Sequence, residues 1–129
     1  MLGKLELFKL AHGLATHANA RQTKISANIA NVDTPGYKAQ DIRPFAESYR
    51  APNTQNGLRA TRAGHSFSSQ PGQITIEPIV RTSGKSPNGN SVSIESEMVE
   101  AAEVRQAHDL ALTVYQSALG IMRSSIRNR

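Results

Sequence analysis

The sequence predicts a mainly α-helical subunit, with long N- and C-terminal helices packed as a pair in a coiled-coil-like bundle. Between them it predicts an irregular, partly β middle segment. Three observations carry this expectation. Apolar residues recur at a spacing near 3.6 at both ends of the chain. All six prolines and six of the nine glycines fall between residues 32 and 90. The length, 129 residues, suits one structural domain. The expected divisions are 1–31, a helix; 32–90, a turn and insert; and 91–129, a second helix.

The first helix is drawn by Leu7, Ala11, Leu14, Ala18, Ile25, Ile29 and Val32. At about 1.5 Å per residue, residues 2–31 make a helix about 45 Å long. Gly13 lowers helix propensity by about 1 kcal/mol relative to Ala, so the start is expected to fray. The helix runs into NIANVDTPGY, residues 28–37. Asn28 and Asn31 can cap carbonyls, bond to a neighbouring helix or accept a left-handed backbone. Pro35 biases Thr34 away from helical angles. Pro35 and Gly36 suit the centre of a type II turn, with Gly36 at positive φ. Asp33 and Thr34 can bond to the turn backbone. Tyr37 is expected to pack back on the helix with its hydroxyl as a polar tip. The stretch contains no nucleophile–base pair, so it reads as structure and not as a catalytic loop.

Residues 38–90 show little periodicity and read as irregular. The best strand candidate is 72–84, with Ile74, Ile76 and Val80 as its apolar positions and Pro78 confining it to an edge. The last helix follows the turn cluster SPNGNS. Ser93 is its expected N-cap, with Glu95 and Glu97 at the positive end of the dipole. Ala101, Val104, His108, Ala111, Tyr115, Ala118 and Met122 form one seam. Val104, Ala107, Ala111, Val114, Ala118 and Ile121 form a second beside it. Together they are broader than a two-stranded contact requires. Much of both stripes is alanine. Each buried methyl is worth about 0.8 kcal/mol, against about 1.5–3 for Leu or Ile. Ordering a residue costs about 1–2 kcal/mol, so the pair is expected to need further helices. The expected assembly positions are Leu7, Leu14, Ile25, Ile29, Val104, Ala111, Val114, Tyr115, Ala118 and Met122.

Charge and composition exclude some functions and suggest one alternative. The net charge of +5 and pI near 10.0 raise a basic nucleic-acid-binding protein as the rival reading. The basic residues are scattered singly, which favours a solvated surface. Without cysteine there is no disulfide framework and no Cys-based metal site. His12 and His17 lie about 140° apart around a helix and cannot share a metal. His108 reads as a hydrogen-bonded interface histidine. His65, beside Ser66 and Ser68, has no acid close in sequence to orient it. No catalytic, cofactor or metal site is expected. Lys4, Glu6 and Lys9 interrupt the N-terminal apolar residues, so neither a cleaved signal peptide nor a membrane span is expected. Glu95, Glu97, Glu100 and Glu103 are expected as a mostly solvated acidic turn. Arg59, Arg62 or Arg21 of a neighbouring subunit are its expected partners.

NIANVDTPGY resembles the N-terminal signature of bacterial flagellar axial proteins, the rod, hook and hook-associated subunits. Asn28, Ile29, Ala30, Asn31, Asp33, Thr34, Gly36 and Tyr37 fit that pattern. Pro35 followed by Lys38, and the C-terminal stretch with its YQSALGIMR segment, are most similar to a proximal rod subunit. The resemblance implies terminal helices that pack together and against neighbours in a helical tube. It implies a place in the periplasmic rod of the flagellar basal body, reached by type III export without a cleaved signal. It implies other rod subunits, further copies of the chain and the adapter protein at the rod base as partners. The insert is too short for the large β-rich domain of distal rod and hook proteins.

Overall fold

The computed structural model describes residues 2–50, 74, 76–81 and 86–127. Their elements are α1 (Leu2–Ala30), β1 (Gln40–Ile42), α2 (Phe45–Arg50), β2 (Pro78–Val80) and α3 (Ile94–Arg127). The fold is mainly helical, with α1 and α3 packed together and a short, partly strand region beside them. Arg59, Arg62, His65, Ser66, Ser68 and Phe67 lie outside the described residues.

The helices run antiparallel. Asn28 meets Glu97, Arg21 meets Glu100, and Phe8 meets Tyr115 edge-on at 5.3 Å between ring centroids. Buried residues on α1 recur every seventh position at Ala11, Ala18 and Ile25. On α3 the same interval gives Glu97, Val104, Ala111 and Ala118. A seven-residue recurrence keeps one face of each helix towards its partner. Four of those positions are alanine, which lets the two backbones approach closely. Ile25 (0% exposed) packs with Ala18 and Val104 at the heart of the seam.

β1 and α2 arise in the segment expected to be irregular. β1 pairs antiparallel with β2, setting Gln40 against Val80 and Ile42 against Pro78. The strand expected over 72–84 is thus three residues long among those described. Pro78 lacks an N–H and begins the strand, a position at an edge that tolerates it. The β1–β2 pair, a hairpin with α2 and the insert in its long connection, lies against α1 through β1. His17 is buried edge-on to Phe45, and its Nε2 sits 2.7 Å from the Arg43 carbonyl. A carbonyl only accepts, so Nε2 carries the proton. Gly13 does not interrupt α1. A Cβ there would meet Ile74 Cδ1, the tip of a flexible side chain that would have to turn aside, so the insert approaches α1 closely at this glycine.

Ile25→Ala should lower unfolding free energy by about 2–5 kcal/mol, the cost of a cavity at a closed site. Val99→Ser, on the exposed side of α3, should stay within about 0.5 kcal/mol. Urea midpoints of the two variants read the contrast.

Candidate functional site

The NIANVDTPGY segment closes α1 with a tightened last turn. Asn31 N–H bonds to the Asn28 carbonyl at 3.0 Å, and Asn31 Nδ2 returns to the Ala27 carbonyl at 2.8 Å. Thr34 to Tyr37 forms the reverse turn, with Tyr37 N–H on the Thr34 carbonyl at 3.3 Å and Gly36 at φ 74°. Nothing lies within 4 Å of a Cβ added to Gly36. The glycine therefore answers a backbone angle and not a lack of room. The turn docks on a second one across the molecule. Gly36 N–H bonds to the Asn88 carbonyl at 3.1 Å and Ser91 N–H to the Tyr37 carbonyl at 3.1 Å.

Asn28, fully buried, joins three elements with one amide. Its Oδ1 accepts Gln40 N–H at 2.9 Å while its Nδ2 donates to the Gln40 carbonyl at 2.8 Å. The amide thus pairs with the outer edge of β1 as another strand residue would. Nδ2 also donates to Glu97 Oε2 at 3.0 Å, and the Tyr37 hydroxyl reaches Oδ1 at 3.4 Å. Asn90 does comparable work from the other turn. Its Nδ2 lies 3.0, 2.6 and 2.9 Å from the carbonyls of Asn31, Val32 and Thr34, and its Oδ1 accepts Val92 N–H at 2.8 Å. Residues 86–91 were legible only as a turn. The carbonyls that Asn90 Nδ2 meets lie more than fifty positions away, and no local pattern announces them.

Beneath Asn28 sits a charge cluster. Arg21 forks onto Asp41 at 2.9 and 3.1 Å and reaches Glu100 at 3.1 Å. Arg81 bonds Glu97 at 3.0 Å and also bonds Glu100. This corrects the expectation of a solvated acidic turn at the start of α3. Glu97 is 1% exposed, and Glu97 and Glu100 find both arginines within their own chain. Glu95 and Glu103 remain exposed. Ser93 occupies the N-cap position, its carbonyl accepting Glu97 N–H at 3.0 Å. Burial pushes the Asp41 carboxyl up, but hydrogen bonds from Arg21 and the Ile42 N–H, with the charges of Arg21 and Arg81, hold it below its ordinary value. The bond to Asp41 raises the Arg21 pKa against the opposing effect of burial.

The remaining motif residues, Ile29, Asp33, Thr34, Pro35 and Gly36, are exposed, and Tyr37 is half-buried. The residues expected to face other subunits divide into three sets. Ile25, Val104, Ala111 and Ala118 are buried within the chain itself. Leu14 and Val114 are half-buried. Leu7, Ile29, Tyr115 and Met122 are exposed, together with Ile94, Met98, Val99, Leu110, Leu112, Ile121 and Ile126. Sequence periodicity found the α3 seams but missed the flank carrying Met98, Leu112 and Ile126. His108 is half-buried, 3.9 Å from Asp109. His12 is exposed while His17 is buried. Among the described residues no cluster could hold a metal, and no helix is long and apolar enough to cross a membrane. Arg21 and Arg81 are engaged by carboxylates within the chain, which removes them from a basic patch for nucleic acid.

Such an arrangement defines a structural class: two long packed helices, a locked turn, and exposed apolar surface along α3. Residues 13–38 match the family model described as flagella basal body rod protein, covering most of α1 and the whole turn. The chain is 32% identical to the flagellar basal body rod protein FlgB of Aeromonas hydrophila, over 92% of this chain and 89% of that one. It is 32% identical to the Salmonella typhimurium FlgB over 77% of each. It is 29% identical to that of Agrobacterium fabrum over 95% of this chain and 94% of the relative. The chain belongs to the FlgB family of flagellar basal body rod proteins. The family is one of structural rod proteins, and its place is the flagellar basal body.

Asn28→Asp should cost about 3 kcal/mol or more, because it removes the donor to Glu97 and sets a second carboxylate beside it. Asn90→Ala should cost about 1–3 kcal/mol through the carbonyls it abandons. Asn31→Ala should cost about 1 kcal/mol. Chemical denaturation ranks the three.

A pH series tests the cluster. The Asp41 pKa is lower folded than unfolded, so the unfolded chain takes up its proton first as pH falls. Asp41 therefore contributes stability above about pH 4 that is lost progressively in more acid solution. Unfolding midpoints should drop below that pH in the parent and depend less on acid in Asp41→Asn.

Proposed function

We propose that this chain is a proximal-rod subunit that assembles with further copies and with other rod proteins into a helical tube transmitting torque. The observation that carries this reading is a second, largely apolar row on α3 that flanks the seam with α1. Ile94, Met98, Ala101, Arg105, His108, Leu112, Tyr115, Leu119, Met122 and Ile126 follow one another at alternating intervals of four and three. That rhythm suits one more helix packed alongside. Ile94, Met98, Leu112, Tyr115, Met122 and Ile126 on this stripe are exposed. Leu7 and Ile29 extend the candidate surface onto α1. The turn from Asp33 to Tyr37 sets where α1 ends and the insert leaves. The adapter protein at the rod base is the proposed partner below. The route is through the flagellar type III export apparatus to the periplasmic rod, without a cleaved leader.

Deleting the coding sequence in the source bacterium and imaging basal bodies tests the role. Rings without a complete rod, in non-motile cells, are expected; complete basal bodies and normal swimming would refute it. Restoring the gene as Leu112→Asp or Gly36→Val should yield expressed chain and no motility. Full motility with Leu112→Asp would remove the stripe from the assembly surface.

A further inference from the structure

A pocket of about 330 Å³ opens between α1, α3 and the hairpin. Leu14, Ile42, Phe45, Ile79 and Val104 supply apolar walls, with Ala107 at one side. Its polar groups are largely engaged with one another. Arg21 holds Asp41, and His17 holds the Arg43 carbonyl. Glu103 is the exception: it lines the pocket, is exposed, and forms no ion pair among the described residues. Of the carboxylates and guanidiniums that line the pocket, Asp41 and Glu103 stand against Arg21 alone, which leaves one negative charge over. The site therefore favours an apolar side chain accompanied by a cation.

The far end of the same molecule presents that combination. Continuing the antiparallel register from Phe8 and Tyr115, Leu2 falls opposite Ile121. The last residues of α3 therefore extend beyond the start of α1. Ile126 there is 74% exposed, with exposed Met122 one turn before it and exposed Arg123 three positions before it. Residues this far apart are neighbours on a helix surface. No acidic residue follows Asp109 in the sequence, whereas Arg123, Arg127 and Arg129 do. Helix angle also separates the two features. Glu103 and Ala107 stand on the α3 flank beside the hairpin, while Met122 and Ile126 stand on the opposite flank.

We propose that the pocket seats the C-terminal end of α3 from a second copy of this chain, with Ile126 against the apolar walls and Arg123 beside Glu103. This rests on the rod-subunit reading and adds the contact by which one copy engages the next. Knob and socket lie on different faces, so two copies cannot satisfy both at once. The contact is heterologous and leaves a free socket at one end and a free knob at the other, as an open helical assembly requires.

The chain lacks cysteine, so engineered thiols report cleanly. Ala107→Cys and Ile126→Cys are expressed as full-length chains, singly, together and co-expressed, in the deletion strain, and cells are oxidised after assembly. The expected result is a disulfide-linked dimer only when both positions are present, and a ladder from the double variant. Arg123→Glu in that background should reduce the linked product roughly tenfold, the scale of one charge pair at an interface. Adding Glu103→Arg should restore it. Ile126→Cys linking only to itself, or no product in cells that still swim, would overturn the seat while leaving the rod role standing. Complete basal bodies in the deletion strain itself would instead refute the rod role.

Discussion

The side-chain amide of Asn28 is the constraint on which the rest depends. It replaces a missing strand along the edge of β1 and at the same time donates to a carboxylate at the start of α3. A buried amide is costly unless its donors and acceptor are satisfied. Satisfying this one requires α1, the hairpin and α3 to arrive together. The arginine cluster beneath it has the same logic. Glu97 is tolerable in the interior because Asn28 and Arg81 both bond to it. Arg81 is brought there by the strand whose partner Asn28 holds. The helices supply apolar area, and these polar bonds select the register at which they meet.

That division explains what was readable in the chain. The two helices announced themselves through 3.6-residue periodicity. The turn was equally plain, since Pro35 and Gly36 restrict their own backbone regardless of surroundings. β1 was not. Gln40, Asp41 and Ile42 carry no alternation, and they become a strand because Asn28 and β2 bond to the two sides of their backbone. Glu97 and Glu100 were misread for a related reason. Carboxylates in a first helical turn ordinarily face water, and only the convergence of Arg21 and Arg81 from distant positions makes burial possible. Residue type fixed which groups could pair, while the choice among partners was left to the folded chain.

The apolar positions show a similar split. Spacing identified which residues of α3 share a face, but not which face meets α1. A helix with three adjacent apolar rows can offer any of them to its nearest partner. In this chain the row at Val104, Ala111 and Ala118 turns inward, and the row ending at Met122 and Ile126 stays outside. Alanine explains the choice, because the row with small side chains lets two helices approach. The row with Met, Leu and Ile suits the deeper grooves between several.

The collar formed by β1 and β2 has a consequence for how such a chain can change. It clamps the insert at its root, pairing Ile42 with Pro78. Whatever is strung between those two residues begins and ends at points already held together. The entropy of closing a loop grows only with the logarithm of its length, about 0.6 kcal/mol per doubling. Chain between α2 and Ile74 can therefore be lengthened or shortened at small entropic cost to the helices beneath, whereas Arg43, Phe45 and Ile74 are tied to α1 by their own contacts. The architecture is modular: a shaft of two paired helices and a separately adjustable insert, divided by three residues of paired backbone on each side.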